Sequence, residues 1–245
     1  MSAQTSPRRL ARTIGALFLL TILAGIFAQG LVSGRLIDFG DAAKTANNIL
    51  SHRGLFQFGF SVYLIEMTSQ VATAALWYVL LRPVSKPIAL AGAFIELAGC
   101  TVKIFARVLY IAPLWVLMPT ASGASPVLRG FTIDQVQSIA LVLLKINDYG
   151  AATALALFGF STLLNGFLIL RSTFLPRWLG VLGMLCGLGW LTFLYPPLGY
   201  RVFMVAALVG LLSAALMIFW LLVFGVNEDR WRDRAGAAVN VNSES

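Results

Sequence analysis

Three ionisable residues interrupt one apolar run: Glu96, Lys103 and Arg107 lie within IALAGAFIELAGCTVKIFARVLYIAPLWVLM, between Pro87 and Pro119. On a helix turning 100° per residue, Lys103 and Arg107 fall about 20° either side of Glu96. Cys100 and Tyr110 share that face. A carboxylate and two cations in one stripe could hold an anionic group, transfer a proton, or pair with charges on a neighbouring helix. Lipid cannot solvate such a stripe, so it must face protein or water.

Candidate counterparts stand in two other apolar runs. Tyr63, Glu66, Gln70, Thr73 and Trp77 repeat at helical spacing, and Lys145, Asp148 and Tyr149 cluster farther along. Counted from the cytoplasmic helix ends, Glu66 and Lys103 each lie about 22 Å up, and Arg107 and Asp148 about 29 and 33 Å. Ion pairs Glu66–Lys103 and Asp148–Arg107 are therefore expected, with Glu96 beside Gln70. The expected ligand-binding set is Glu66, Gln70, Glu96, Lys103, Arg107, Tyr110, Lys145, Asp148 and Tyr149. Glu66 and Glu96 are the candidate acid and base for an isomerase- or cyclase-type reaction on a lipophilic substrate.

Other chemistries lack their residues. His52 is the only histidine, which excludes a bis-histidine haem or a histidine-bearing di-iron bundle. No HExxH, P-loop or GxSxG motif occurs, and the last apolar run has no lysine for a Schiff base. Cys100 and Cys186 sit within apolar runs without CxxC spacing and read as buried thiols. No metal and no cofactor is expected.

The elements that must position these groups follow from composition. The chain has 245 residues, of which 59% are hydrophobic and 11% charged, with a mean hydropathy of +0.84. Such a chain reads as an all-α polytopic membrane protein. The net charge of +8 is dispersed at the ends of apolar runs, as topology signals are, and implies no nucleic-acid partner. Six transmembrane helices are expected over 13–32, 55–81, 88–117, 147–170, 178–195 and 202–224. Residues 1–12 form an N-terminal segment, 13–224 the transmembrane bundle, and 225–245 a largely disordered tail.

Basic clusters at Arg8–Arg12, Arg82–Lys86, Arg171–Arg177 and Arg230–Arg234 all fall on one side of six spans. The positive-inside rule makes that side, and both termini, cytoplasmic. Arg35, Lys44, Arg53, Arg129 and Arg201 fall on the other. Asp41 caps a short interfacial helix in the first outer loop, and Thr132 with Gln135 forms a capping box. A continuous helix from Ile133 to Leu170 would measure about 57 Å, so it either projects outward or breaks near Asn147–Gly150. Pro196–Pro197 is expected to close the fifth span.

Several local motifs resemble one family. They are Arg9-Leu10-Ala11-Arg12, Gly40-Asp41-Ala42-Ala43, Leu80-Leu81-Arg82-Pro83 and Gly166-Phe167-Leu168-Ile169. The most extended is Arg171-Ser172-x-Phe174-Leu175-Pro176-Arg177-x-Leu179-Gly180-Val181, with Gly187-Leu188-Gly189 beyond. Over about residues 8 to 224 the chain resembles the bacterial membrane proteins of domain-of-unknown-function family 4386. The resemblance implies six spans in a bacterial inner membrane and no established activity. The family pattern carries histidines where this chain has Asn147-Asp148 and Ser161, and an acid where it has Gln70, so shared histidine chemistry is not implied.

Together these features point to a membrane protein that binds lipid or a small amphipathic or anionic ligand in an outward-facing polar pocket. An intramembrane enzyme, or a small transporter completed by homo-oligomerisation, are the alternatives.

Overall fold

The computed structural model describes residues 6–118 and 130–243. The first five residues, Pro119 and Arg129, to which the sequence reading gave roles, lie outside them.

Helix α1, Pro7–Gly25, runs on into a π-helical segment, Ile26–Ser33, and a final turn α2, Gly34–Leu36. Helix α3, Ala42–Ser51, follows, and Asp41 Oδ1 accepts from the Lys44 amide at 2.9 Å, as the capping reading requires. Then come α4, Arg53–Leu81, and α5, Lys86–Leu117. Helix α6 runs from Ile133 to Arg171, α7 from Arg177 to Leu191 with a 3-10 turn to Leu194, and α8 from Pro196 to Val223. Among the described residues, six helical stretches are long and apolar enough to cross a membrane, one for each expected span. Large apolar side chains stay exposed on them, including Phe105 at 72% and Ile133 at 76%. A hydrocarbon solvent accommodates such surface and water does not. This is a multi-pass membrane protein.

One alternative is decided and two expectations need correction. Helix α6 is unbroken for 39 residues through Asn147–Gly150, about 58 Å at the α-helical rise. Gly150 serves helix approach there: a Cβ added to it would lie 2.6 Å from Ala106 Cβ. Pro196 and Pro197 open α8 instead of only closing the fifth span, since a proline at a first-turn position forfeits no hydrogen bond. The tail expected to be largely disordered forms α9, Glu228–Ser243. Its first turn carries Glu228 and Asp229 near the positive end of the helix dipole. Asn227 Oδ1 accepts the Arg230 amide at 3.1 Å, and Trp231 Nε1 donates to the Leu80 carbonyl at 2.9 Å.

The helices are shared between two compact units. The first comprises Met1–Leu20, Ser69–Cys100 and Thr153–Ser245; the second comprises Thr21–Thr68 and Thr101–Ala152. In the first, the core gathers Ile14, Leu80, Leu81, Leu168, Leu179 and Leu221. There α6 and α7 meet through glycines: a Cβ on Gly166 would lie 2.8 Å from the Gly180 carbonyl oxygen, and one on Gly187 2.8 Å from that of Gly159. Cys186 and Cys100 are buried thiols of this unit, neither of them in a disulfide. In the second, Val32, Ile49, Phe56, Tyr63, Tyr110 and Leu144 form the core. Gly59 lets α4 close on the π-helical segment, because a Cβ there would lie 2.8 Å from Val32 Cγ1.

Candidate functional site

Each unit buries polar groups of its own. In the first, α4 and α5 bring the Gln70 amide nitrogen onto Glu96 Oε1, the neighbour expected for that carboxyl. Ser69 donates to the Leu17 carbonyl at 2.8 Å and Ser161 to the Gly92 carbonyl at 2.9 Å. The serines thereby take their bonds from the backbone of the helices they pack against, which is how buried hydroxyls are satisfied in a membrane bundle.

The second unit is richer. Lys103 Nζ donates to Glu66 Oε1 at 2.7 Å, the expected ion pair. One helical turn on, Arg107 is only 2% exposed. Its guanidinium lies 3.5 Å from the Tyr63 ring centroid, a cation–π contact, and its Nη1 donates to Asn147 Oδ1 at 3.0 Å. The sequence reading had assigned Arg107 to Asp148; the hydrogen bond runs instead to the amide one residue earlier. Arg107 Nε is buried with no hydrogen-bond partner among the described residues.

A hydroxyl network adjoins this guanidinium. Tyr63 donates to Gln29 Oε1 at 2.7 Å, and Ser33 Oγ lies 3.0 Å from the Tyr63 oxygen and 3.5 Å from that of Tyr110. Tyr110 stacks on Phe56 with ring centroids 4.4 Å apart. Gln29 and Ser33 both belong to the π-helical segment. Widening a helix by one residue per turn re-aims side chains, and such segments are frequent at functional sites.

Arg107, Asn147, Asp148, Gln29 and Ser33 share a cavity of about 240 Å³, with Phe39 among its other lining residues. Of the expected binding set, this cavity takes Arg107 and Asp148. Glu66 and Lys103 form their pair, and Tyr110 is fully buried in the hydroxyl network. Lys145 Nζ sits 4.4 Å from the centroid of Phe39, and Tyr149 is half exposed. Gln70 and Glu96 belong to the first unit.

Gln29, Ser33 and Asn147 were missed as site residues. Gln29 had a signal, being the one amide within the first apolar run, and Asn147 stands where the family pattern carries a histidine; Ser33 had none beyond polarity.

The model of the domain of unknown function DUF4386 matches residues 13–225. The chain belongs to the DUF4386 family. Its description assigns no activity, and the match covers the whole of both clusters. No curated protein and no solved structure matches the chain. Within this family member, then, function has to be argued from the two clusters themselves.

Proposed function

We propose that this DUF4386 protein binds a small anionic or amphipathic ligand in the cavity of its second unit, with Arg107 as the anion-recognising group. The observation that carries the reading is the buried Arg107 Nε with no partner, on a guanidinium beside a cavity of about 240 Å³. Leaving a charged donor unsatisfied in low dielectric is costly, and a carboxylate or phosphate oxygen removes that cost. The Tyr63 ring holds the guanidinium plane, so the group is pre-oriented beside the cavity, where Asp148 also sets a carboxyl for a cationic or hydrogen-bonding part of the ligand. Gln29 and Ser33 supply polar lining for the ligand's neutral part. Both termini are cytoplasmic in this reading, and the membrane is the cell membrane. The basic clusters at alternate helix ends support that orientation.

The test is mass spectrometry of molecules retained by the detergent-purified protein, compared with Arg107→Gln and Glu96→Gln. A specific anion or lipid retained by the wild type and by Glu96→Gln but lost from Arg107→Gln supports the reading. Equal retention by all three proteins overturns it.

A further inference from the structure

We propose a second site, at the basic end of the first unit, for the phosphate of an anionic phospholipid. A cavity of about 570 Å³ opens there, lined by Arg8, Thr173, Asn227 and Arg230 together with Trp220 and Phe224. Three chain segments line it, and a fourth is tied in beside it. Glu228 accepts from the Ser6 hydroxyl and from the Arg8 amide. Arg230 Nη1 donates to the Thr173 carbonyl at 3.2 Å, and the Asn227 amide to that of Phe174 at 3.2 Å. Trp231 brings in the end of α4 through the Leu80 carbonyl. Gly225, at φ +70°, makes the turn from α8 into α9, and a side chain on it would meet Arg8 Cγ at 2.9 Å.

The convergence has an electrostatic result. Arg9, Arg12, Arg82, Lys86, Arg171 and Arg177 stand near the start of α1 and at the α4–α5 and α6–α7 turns of the same unit, adding to the positive charge of the two cavity arginines. Glu228 and Asp229 also line the cavity, and Glu228 is engaged by Ser6, by the Arg8 amide and by Arg232 at 3.3 Å.

The aromatic wall selects a lipid over a free anion. Trp220 and Phe224 lie 4.5 Å apart by ring centroid, and Trp178 stands edge-on to Trp220 at 5.8 Å. Phe224 is 50% exposed at the end of a membrane-length helix. Tryptophan beside arginine is the pairing of a headgroup boundary, where the ring meets glycerol and acyl carbons while the cation meets phosphate.

The experiment uses the full chain in phosphatidylcholine nanodiscs doped with phosphatidylglycerol, with protein-bound lipid counted by native mass spectrometry. R8Q/R230Q should retain about tenfold less phosphatidylglycerol than wild type. R9Q/R12Q, which removes two exposed cations that do not line the cavity, should retain nearly as much as wild type. R8K/R230K keeps both charges and guards against misfolding; it should retain most of the lipid. Soluble glycerol phosphate should not displace it. Equal loss in R9Q/R12Q and R8Q/R230Q would reduce the effect to diffuse charge and overturn the site. Displacement by glycerol phosphate would overturn the lipid assignment.

Discussion

Lys103 Nζ stands 2.7 Å from Glu66 Oε1 between α4 and α5 of the second unit, with side-chain exposures of 13% and 8%. Breaking such a pair by neutralising one member strands a charge in low dielectric, whereas removing both does not. Glu66→Gln or Lys103→Met alone should each lower stability by about 3 kcal/mol, and the double variant should recover most of the loss. Thermal melting of the four proteins in one detergent measures the coupling. Additive single effects would mean the two charges act independently.

Asn147 offers the oxygen that Arg107 Nη1 uses. A hydrogen bond to a charged group contributes about 1.5–3 kcal/mol, so Asn147→Leu should destabilise by about 2 kcal/mol. Asn147→Asp supplies a charged acceptor and should be at least as stable as wild type. Denaturation midpoints that fail to separate the two variants would remove Asn147 from the account of how Arg107 is held.

The α6–α7 contact separates two glycines of one helix. A Cβ on Gly180 would lie 2.6 Å from the Gly166 carbonyl oxygen, a backbone atom with no rotamer to yield, while one on Gly183 would be an ordinary 3.6 Å from the Gly166 Cα. Gly180→Ala should cost about 1–3 kcal/mol through displaced packing, and Gly183→Ala should be close to neutral. Comparable melting temperatures for the two variants would contradict the close approach.

Glu228 is held below the usual carboxylate range, first by the Ser6 hydroxyl and then by the Arg8 amide and Arg232. A group whose folded-state pKa is depressed stabilises the fold above its unfolded value, and that contribution fades as pH falls through the folded value. Hydrogen exchange corrected for intrinsic rates should show α9 amides equally protected from pH 8 to about 5 and losing protection below about 4. Glu228→Gln should abolish that pH dependence. A dependence that survives in the variant would assign the effect to another group.

Much of this was legible from the residues. Six spans followed from hydrophobic run length, because the hydrocarbon thickness sets a minimum that few soluble helices meet. Glu66–Lys103 and Gln70–Glu96 followed from helical phase and rise alone, since a buried charge has few permissible partners. Depth and charge balance alone placed Arg107 beside Asp148 and left out Asn147, a neutral acceptor one residue earlier and about 100° round the helix that the long arginine side chain reaches. A break at Gly150 and a continuous helix were both open, because a glycine marks either a break or a place where an intact helix lets a neighbour come close. The tail misled because its composition is polar, while its order comes from Trp231 and Glu228 binding groups remote in sequence.

The π-helical segment carries one residue more per stretch than an α-helix of equal length would need, so it holds a stored register slip. Gly30 sits within it, with no atom inside 4 Å of where a Cβ would be. Rewinding the segment as α-helix with every residue kept would turn Ser33 by about 100° relative to the helix before it, a turn that deleting Gly30 would absorb. The chain would still span the membrane by length. The hydroxyl of Ser33 would leave Tyr63 and Tyr110, and the polar lining of the cavity would be dismantled without a single side chain being altered.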